Sequence, residues 1–135
     1  GMARYGFTGA ARRILTAMAD LSEAVDLHRL PELICGFPRR GREYPTLYPV
    51  ACAPQAWAAG AVFLLLAATL GVEIDAPRQR ITVSRGRLPE TLDWIRLTDL
   101  AIGDARIDIR LERHTHDVGV TVLRREGEVE IVTVK

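Results

Sequence analysis

The sequence predicts an α+β protein, a helical segment over residues 1–71 followed by a small antiparallel β unit over residues 72–135. Two observations carry the prediction. Before Gly71 the apolar residues recur at helical spacing in one segment, about Thr8 to Ala24, and run unbroken for the length of a helix in another, Pro54–Leu70. After Gly71 the period drops to two. With 48% hydrophobic and 26% charged residues, the chain has enough apolar content to build a core and too little net charge to read as disordered.

The first helix is expected at about Thr8 to Ala24. Ala11, Ile14, Leu15, Met18, Leu21 and Val25 form its apolar stripe, while Arg12, Arg13, Asp20 and Glu23 turn elsewhere. Thr8 is the expected N-cap, its hydroxyl accepting a first-turn N–H. The short stretch Met2–Phe7 reads as the end of an earlier helix and its turn. Gly1 reads as a tag remnant ahead of a natural start at Met2.

Asp26 to Ala53 shows no sustained period. Pro31, Pro38, Pro45 and Pro49, with Gly36 and Gly41, argue against a long helix or a central strand. Ordered loops of this length are uncommon and usually functional. A second helix is expected over Pro54–Leu70, with Pro54 in its first turn and Gly71 as a left-handed C-cap.

Beyond Gly71, Gln79–Ser84 and Ala105–Glu112 alternate as strands. Ile107, Ile109 and Leu111 fall on one face, and Arg106, Asp108 and Arg110 on the other. Asp117–Leu123 and Glu128–Val134 are expected to form a hairpin turning at Arg125–Gly127. Trp94 is expected to anchor the β unit against the helices.

Charge and composition exclude several classes of function. Lys+Arg total 18 against Asp+Glu 17, so nothing attracts nucleic acid in bulk. Residues 56–72 carry no charge, but about 20 apolar residues are needed to span a bilayer. No basic cluster orients the segment, and it reads as a buried helix rather than a membrane span. The opening residues lack the pattern of an export signal. Cys35 and Cys52 are therefore expected as free thiols in the cytoplasm. They lack metal-site spacing, and His114 and His116 with Asp117 read as a polar turn, so neither a metal nor a cofactor is expected.

The chemistry-bearing residues fall in two clusters, Leu30–Arg39 (LPELICGFPR) and Tyr48–Gly60 (YPVACAPQAWAAG). Glu32 stands in a loop shaped by Pro and Gly, near Phe37, Tyr44, Tyr48 and Trp57. A carboxylate beside aromatic platforms suits a sugar, whose ring face stacks while the acid reads hydroxyls or moves a proton. The structural alternative is that Glu32 caps a turn and the aromatics fill the core. His28 reads as a surface loop residue.

LPELICGF, followed about twenty residues later by ACAPQAWAAG, resembles the C-terminal part of the amylo-α-1,6-glucosidase (glycogen debranching enzyme-like) family of six-hairpin glycosidases. RLPETLDWIRLTDLAIGDARIDIRLERH and the closing strands are similar to the β-rich end of bacterial members. The resemblance covers nearly the whole chain. It implies that the helical segment is a partial (α/α) hairpin from the end of an (α/α)6 barrel. It implies inverting hydrolysis of an oligosaccharide or α-glucan, with Glu32 as general base. Tyr48, Gln55 and Trp57 are then substrate-binding residues, and Cys52 lies near the site.

Inverting hydrolysis needs a second carboxylate about 6.5–9.5 Å from the first. In the family that acid comes from an earlier part of the barrel. Asp20, Glu23 and Asp26 read as a solvated helix face, and no family motif gives Glu43 the acid's role. The chain is accordingly expected to be inactive alone. It is a glycosidase fragment, an enzyme completed by a separate barrel chain, or a non-catalytic module that binds a saccharide or a protein. A barrel helix without its neighbours exposes some of Val62, Phe63, Leu65 and Leu66. Self-association through the second helix is expected for that reason.

Overall fold

The computed structural model describes every residue except Arg39, Arg42 and Lys135. Among the described residues the fold is α+β: two α-helices, three short 3-10 turns and two three-stranded sheets. The chain forms two compact units, one of residues 13–66 and one combining residues 1–12 with 67–135.

The unit of residues 13–66 holds most of helix α1 (Thr8–Ser22), a long loop and most of helix α2 (Ala56–Leu70). The apolar stripe of α1 behaves as its spacing predicts. Leu15 and Leu21 are buried, and Met18 packs with Val25, Ile34 and Val62 around Leu21, Leu30 and Ala58. The helix starts one residue earlier than a Thr8 cap would allow. The Phe7 carbonyl accepts the Ala11 N–H at 3.1 Å, which places Thr8 inside the first turn. It stops at Ser22, whose hydroxyl bonds back to the Ala19 carbonyl at 2.6 Å. Leu27 and His28, both at positive φ, then reverse the chain.

The loop is ordered by its own backbone. An isolated antiparallel bridge joins Ile34 to Leu47, and the Cys35 N–H donates to the Thr46 carbonyl at 2.8 Å. The segments on either side of residues 36–45 therefore run back along each other, which gives their backbone polar groups partners without a helix or a sheet. Pro54 lies ahead of α2 rather than in its first turn. The first turn instead receives the Gln55 side chain, whose Oε1 accepts the Ala56 N–H at 2.8 Å.

In the other unit, β1 (Val72–Asp75), β2 (Arg80–Ser84) and β6 (Glu130–Val134) make one sheet in the order β1-β2-β6. β3 (Trp94–Ile102), β4 (Ala105–Arg113) and β5 (Val118–Glu126) make a second, antiparallel sheet. The core joins Leu70, Ile81, Val83, Leu88, Ile102, Ile107, Ile109, Leu111 and Val129. Ile107, Ile109 and Leu111 share the buried face of β4 as their alternation predicts. The opposite face is not simply wet. Asp108 is 5% exposed, held by Arg96 at 2.8 Å and by the Asp99 N–H at 2.8 Å.

The expected hairpin of the last two strands does not form. β5 pairs with β4, whereas β6 crosses to the other sheet and runs parallel to β2. The chain does turn at Gly127 (φ +80), but burying Val129 and Ile131 in the core carries it away from β5. Trp94 is likewise not a buried anchor. It is 52% exposed, with the Arg110 guanidinium 4.8 Å above its ring.

Gly71 joins the helix to this unit. It takes φ +67 and ends α2, as expected of a left-handed cap, and its carbonyl accepts the Ser84 N–H at 2.9 Å. Among the described residues no helix is long and apolar enough to cross a membrane.

Candidate functional site

Local backbone pairing brings the two clusters into one patch. Glu32 and Cys52 bond to each other twice. The Glu32 N–H donates to the Cys52 carbonyl at 2.9 Å, and the Cys52 N–H donates to Glu32 Oε2 at 3.2 Å. Two residues earlier, the Leu30 carbonyl accepts the Gln55 N–H at 3.4 Å. These ties hold the carboxylate of the first cluster at a set place on the second. Glu32 is half-buried, and its Oε1 has no protein partner among the described residues.

The turn Tyr48–Ala51, closed by Ala51 N–H to the Tyr48 carbonyl at 3.0 Å, leads into Cys52. Tyr48 is 46% exposed. Trp57, in the first turn of α2, is 59% exposed. Phe37 and Tyr44 are more exposed still. The two bland readings of this region thus separate. Glu32 does hold a turn together, as a structural carboxylate would. The aromatics do not fill the core, because their rings stand in solvent.

A groove of about 640 Å³ adjoins the patch, lined by His28, Leu30, Pro54, Gln55, Val62 and Phe63. His28, read from the sequence as a loop residue, belongs to this wall. Its Nδ1 lies 3.0 Å from the Ser22 carbonyl, and its positive φ turns it back toward α1. Nothing local in the sequence marks that conformation in a non-glycine residue. Gln55, expected as a sugar contact, spends its Oε1 on the α2 cap and leaves its amide NH₂ to reach a ligand. A second cavity of about 300 Å³ is apolar, bounded by Leu15, Met18, Leu30, Val62, Leu65 and Leu66.

Other candidates are dispersed. Cys35 donates to the Leu47 carbonyl at 3.7 Å, and both cysteines are free thiols. His114 lies 3.4 Å from Asp117 and packs on Gly119, in a separate pocket of about 180 Å³ with Arg85. Among the described residues no three His, Cys, Asp or Glu side chains gather as a metal site would require. Arg39, the last residue of the first cluster, lies outside the described residues.

No protein-family model, curated protein or solved structure matches this chain.

Proposed function

We propose that this chain carries one side of a glycoside-processing site of the amylo-α-1,6-glucosidase kind, with Glu32 as general base and Tyr48, Gln55 and Trp57 as sugar contacts. The observation that supports it is the two-way pairing of Glu32 with Cys52. It fixes the carboxylate of one motif on the other and leaves Oε1 without a hydrogen-bond partner among the described residues. In an inverting reaction that oxygen takes a proton from the water that attacks the anomeric carbon. An acid on the other side of the sugar protonates the departing oxygen, about 6.5–9.5 Å away. That acid comes from a separate barrel chain, so the chain by itself binds saccharide without hydrolysing it. The exposed ring of Trp57 supplies a stacking face, and the Gln55 amide reads a hydroxyl at the groove. The free thiols of Cys35 and Cys52 suit a reducing cytoplasm.

The test uses fluorescence. Trp94→Phe leaves Trp57 as the sole tryptophan. Titration with an α-1,6-branched gluco-oligosaccharide is expected to shift its emission saturably, with Kd of about 1 mM. The response should weaken in Tyr48→Ala, and a β-linked gluco-oligosaccharide should give none. An unresponsive Trp57, or an equal response to both sugars, would refute the assignment.

A further inference from the structure

The last residues of β2 and β6 and the first residues of β5 bound a cleft of about 180 Å³ that shares no residue with the Glu32 patch. Its floor is apolar. Val83 is buried, and Val118 and Val120 pack against the same core. Its rim is charged, with Arg85 just after β2 and with His114 and Asp117 in the turn between β4 and β5. Apolar walls with a few convergent polar groups are the form of a small-molecule pocket.

Three residues there depart from what the fold alone would ask. Thr133 breaks the pattern of its strand. It stands in register with Val83, two residues after Ile131 meets Ile81, so its hydroxyl falls on the face that those aliphatics turn to the core. Arg85 sits at φ +51, a conformation that glycine takes freely and arginine does not. Its guanidinium has no partner among the described residues, whereas Arg80, Arg96 and Arg106 of the same unit each hold a carboxylate. Backbone strain retained under an unpaired charge marks a position kept for a task other than folding. The His114 ring is seated on Gly119, where a Cβ would stand 2.5 Å from Cε1. Its backbone N–H donates to the Asp117 carbonyl at 3.0 Å, and its Nδ1 lies 3.4 Å from Asp117 Oδ1. That seat engages the one carboxylate of the rim and leaves Nε2 without a partner among the described residues.

We propose that this cleft binds a short branched-chain carboxylate, its head group on Arg85 and Thr133 and its aliphatic end on the valines. Arg85 presents the planar fork that matches a carboxylate, and the imidazolium of His114, paired with Asp117, donates from Nε2 to the same head group. The size agrees. At about 30 Å³ of liquid volume per water, 180 Å³ takes roughly six non-hydrogen atoms, the number in isobutyrate. A bare phosphate would answer the arginine and leave the valines in water.

Titration of the ¹⁵N-labelled chain with sodium isobutyrate at about pH 6, where an imidazolium is populated, tests the site. The amide signals of Gly86, Gly119 and Thr133 are expected to move saturably, with Kd of about 1 mM. Acetate, which lacks the two methyl groups, should bind about tenfold more weakly, and the uncharged isobutyramide at least about tenfold more weakly. Arg85→Gly removes the guanidinium and relieves the positive φ. It should therefore weaken isobutyrate at least about tenfold while keeping or raising the melting temperature. Thr133→Val keeps the shape without the hydroxyl and should weaken binding about threefold. Absence of saturable shifts, an equal response to isobutyramide, or full binding by Arg85→Gly would overturn the proposal. Inorganic phosphate binding as tightly as isobutyrate would overturn it too, because the valines would then have no part.

Discussion

Substituting alanine at Gly71 gives the sharpest test of how the helix is joined to the β unit. Two effects add there. At φ +67 an L-residue meets its own backbone, at about 1–2 kcal/mol. The new Cβ would also stand 2.0 Å from the Ser84 carbonyl oxygen and 2.9 Å from the Gly86 nitrogen. Real contacts of this kind do not fall below about 3 Å, so the backbone must separate by about 1 Å in an interior packed to crystal density. That separation strains the Ser84 N–H···O bond to Gly71, worth about 1 kcal/mol net, and displaces the buried neighbours Leu70 and Val83. Overpacking adds about 1–3 kcal/mol. The expected loss is about 4 kcal/mol, or a fall in Tm of about 12 °C at roughly 3 °C per kcal/mol.

Gly6 supplies the control, since it has nearly the same left-handed φ (+86) with nothing within 4 Å of its missing Cβ. Gly6→Ala should cost only the backbone part, about 1 kcal/mol. Urea unfolding of both variants in a Trp57→Phe background, followed by Trp94 emission, isolates the β-containing unit. If Gly71→Ala proved no worse than Gly6→Ala, the reasoning from the Ser84 contact would fail.

Two further outcomes follow from the same structure. Asp108 is held charged by the Asp99 N–H and by Arg96, so its native pKa lies below the ordinary 3.8. Its stabilising contribution is therefore complete above that value and is lost as pH falls through the native pKa. Asp108→Asn should be less stable than wild type at neutral pH, with the gap closing in acid; a gap independent of pH in thermal melts would refute this. Glu32→Gln keeps an oxygen acceptor for the Cys52 N–H and should hold stability within about 0.5 kcal/mol, whereas Glu32→Ala should cost about 1 kcal/mol. Equal losses in the two variants would show that charge, not the hydrogen bond, matters at that place.

The elements with one unbroken period were legible in the sequence. The stripe of α1 and the uncharged run of α2 lie within two residues of their expected bounds, and β4 buries the three aliphatics its alternation singles out. β3 was not read as a strand, because Asp99 at φ +54 makes a bulge between Leu97 and Leu100 and breaks the period of two. The partner of β6 left no local trace, since a parallel return over many residues looks, at its turn, like any Gly-containing hairpin. At the candidate site the sequence brought forward Glu32, Tyr48, Gln55 and Trp57 without their geometry. That Glu32 answers to Cys52, and that Gln55 caps α2, depends on side-chain oxygens meeting particular backbone N–H groups, which residue identity alone does not place.

The parallel pairing of β2 with β6 bears on the order in which the molecule assembles. β1 and β2 are close in sequence, and their hairpin can close early, but Arg80 meets Glu130 only across a separation of fifty residues. Non-local pairing of this kind forms late. Until then one edge of β2 is bare, and an unpaired edge carrying Ile81 and Val83 is a template for strands of other molecules. Arg80 stands on that edge. In the finished sheet it binds Glu130 at 2.7 Å. Before β6 arrives, that charged side chain, in register with Asp75 of β1, keeps the edge polar, so one residue serves as a gatekeeper first and a clasp afterwards.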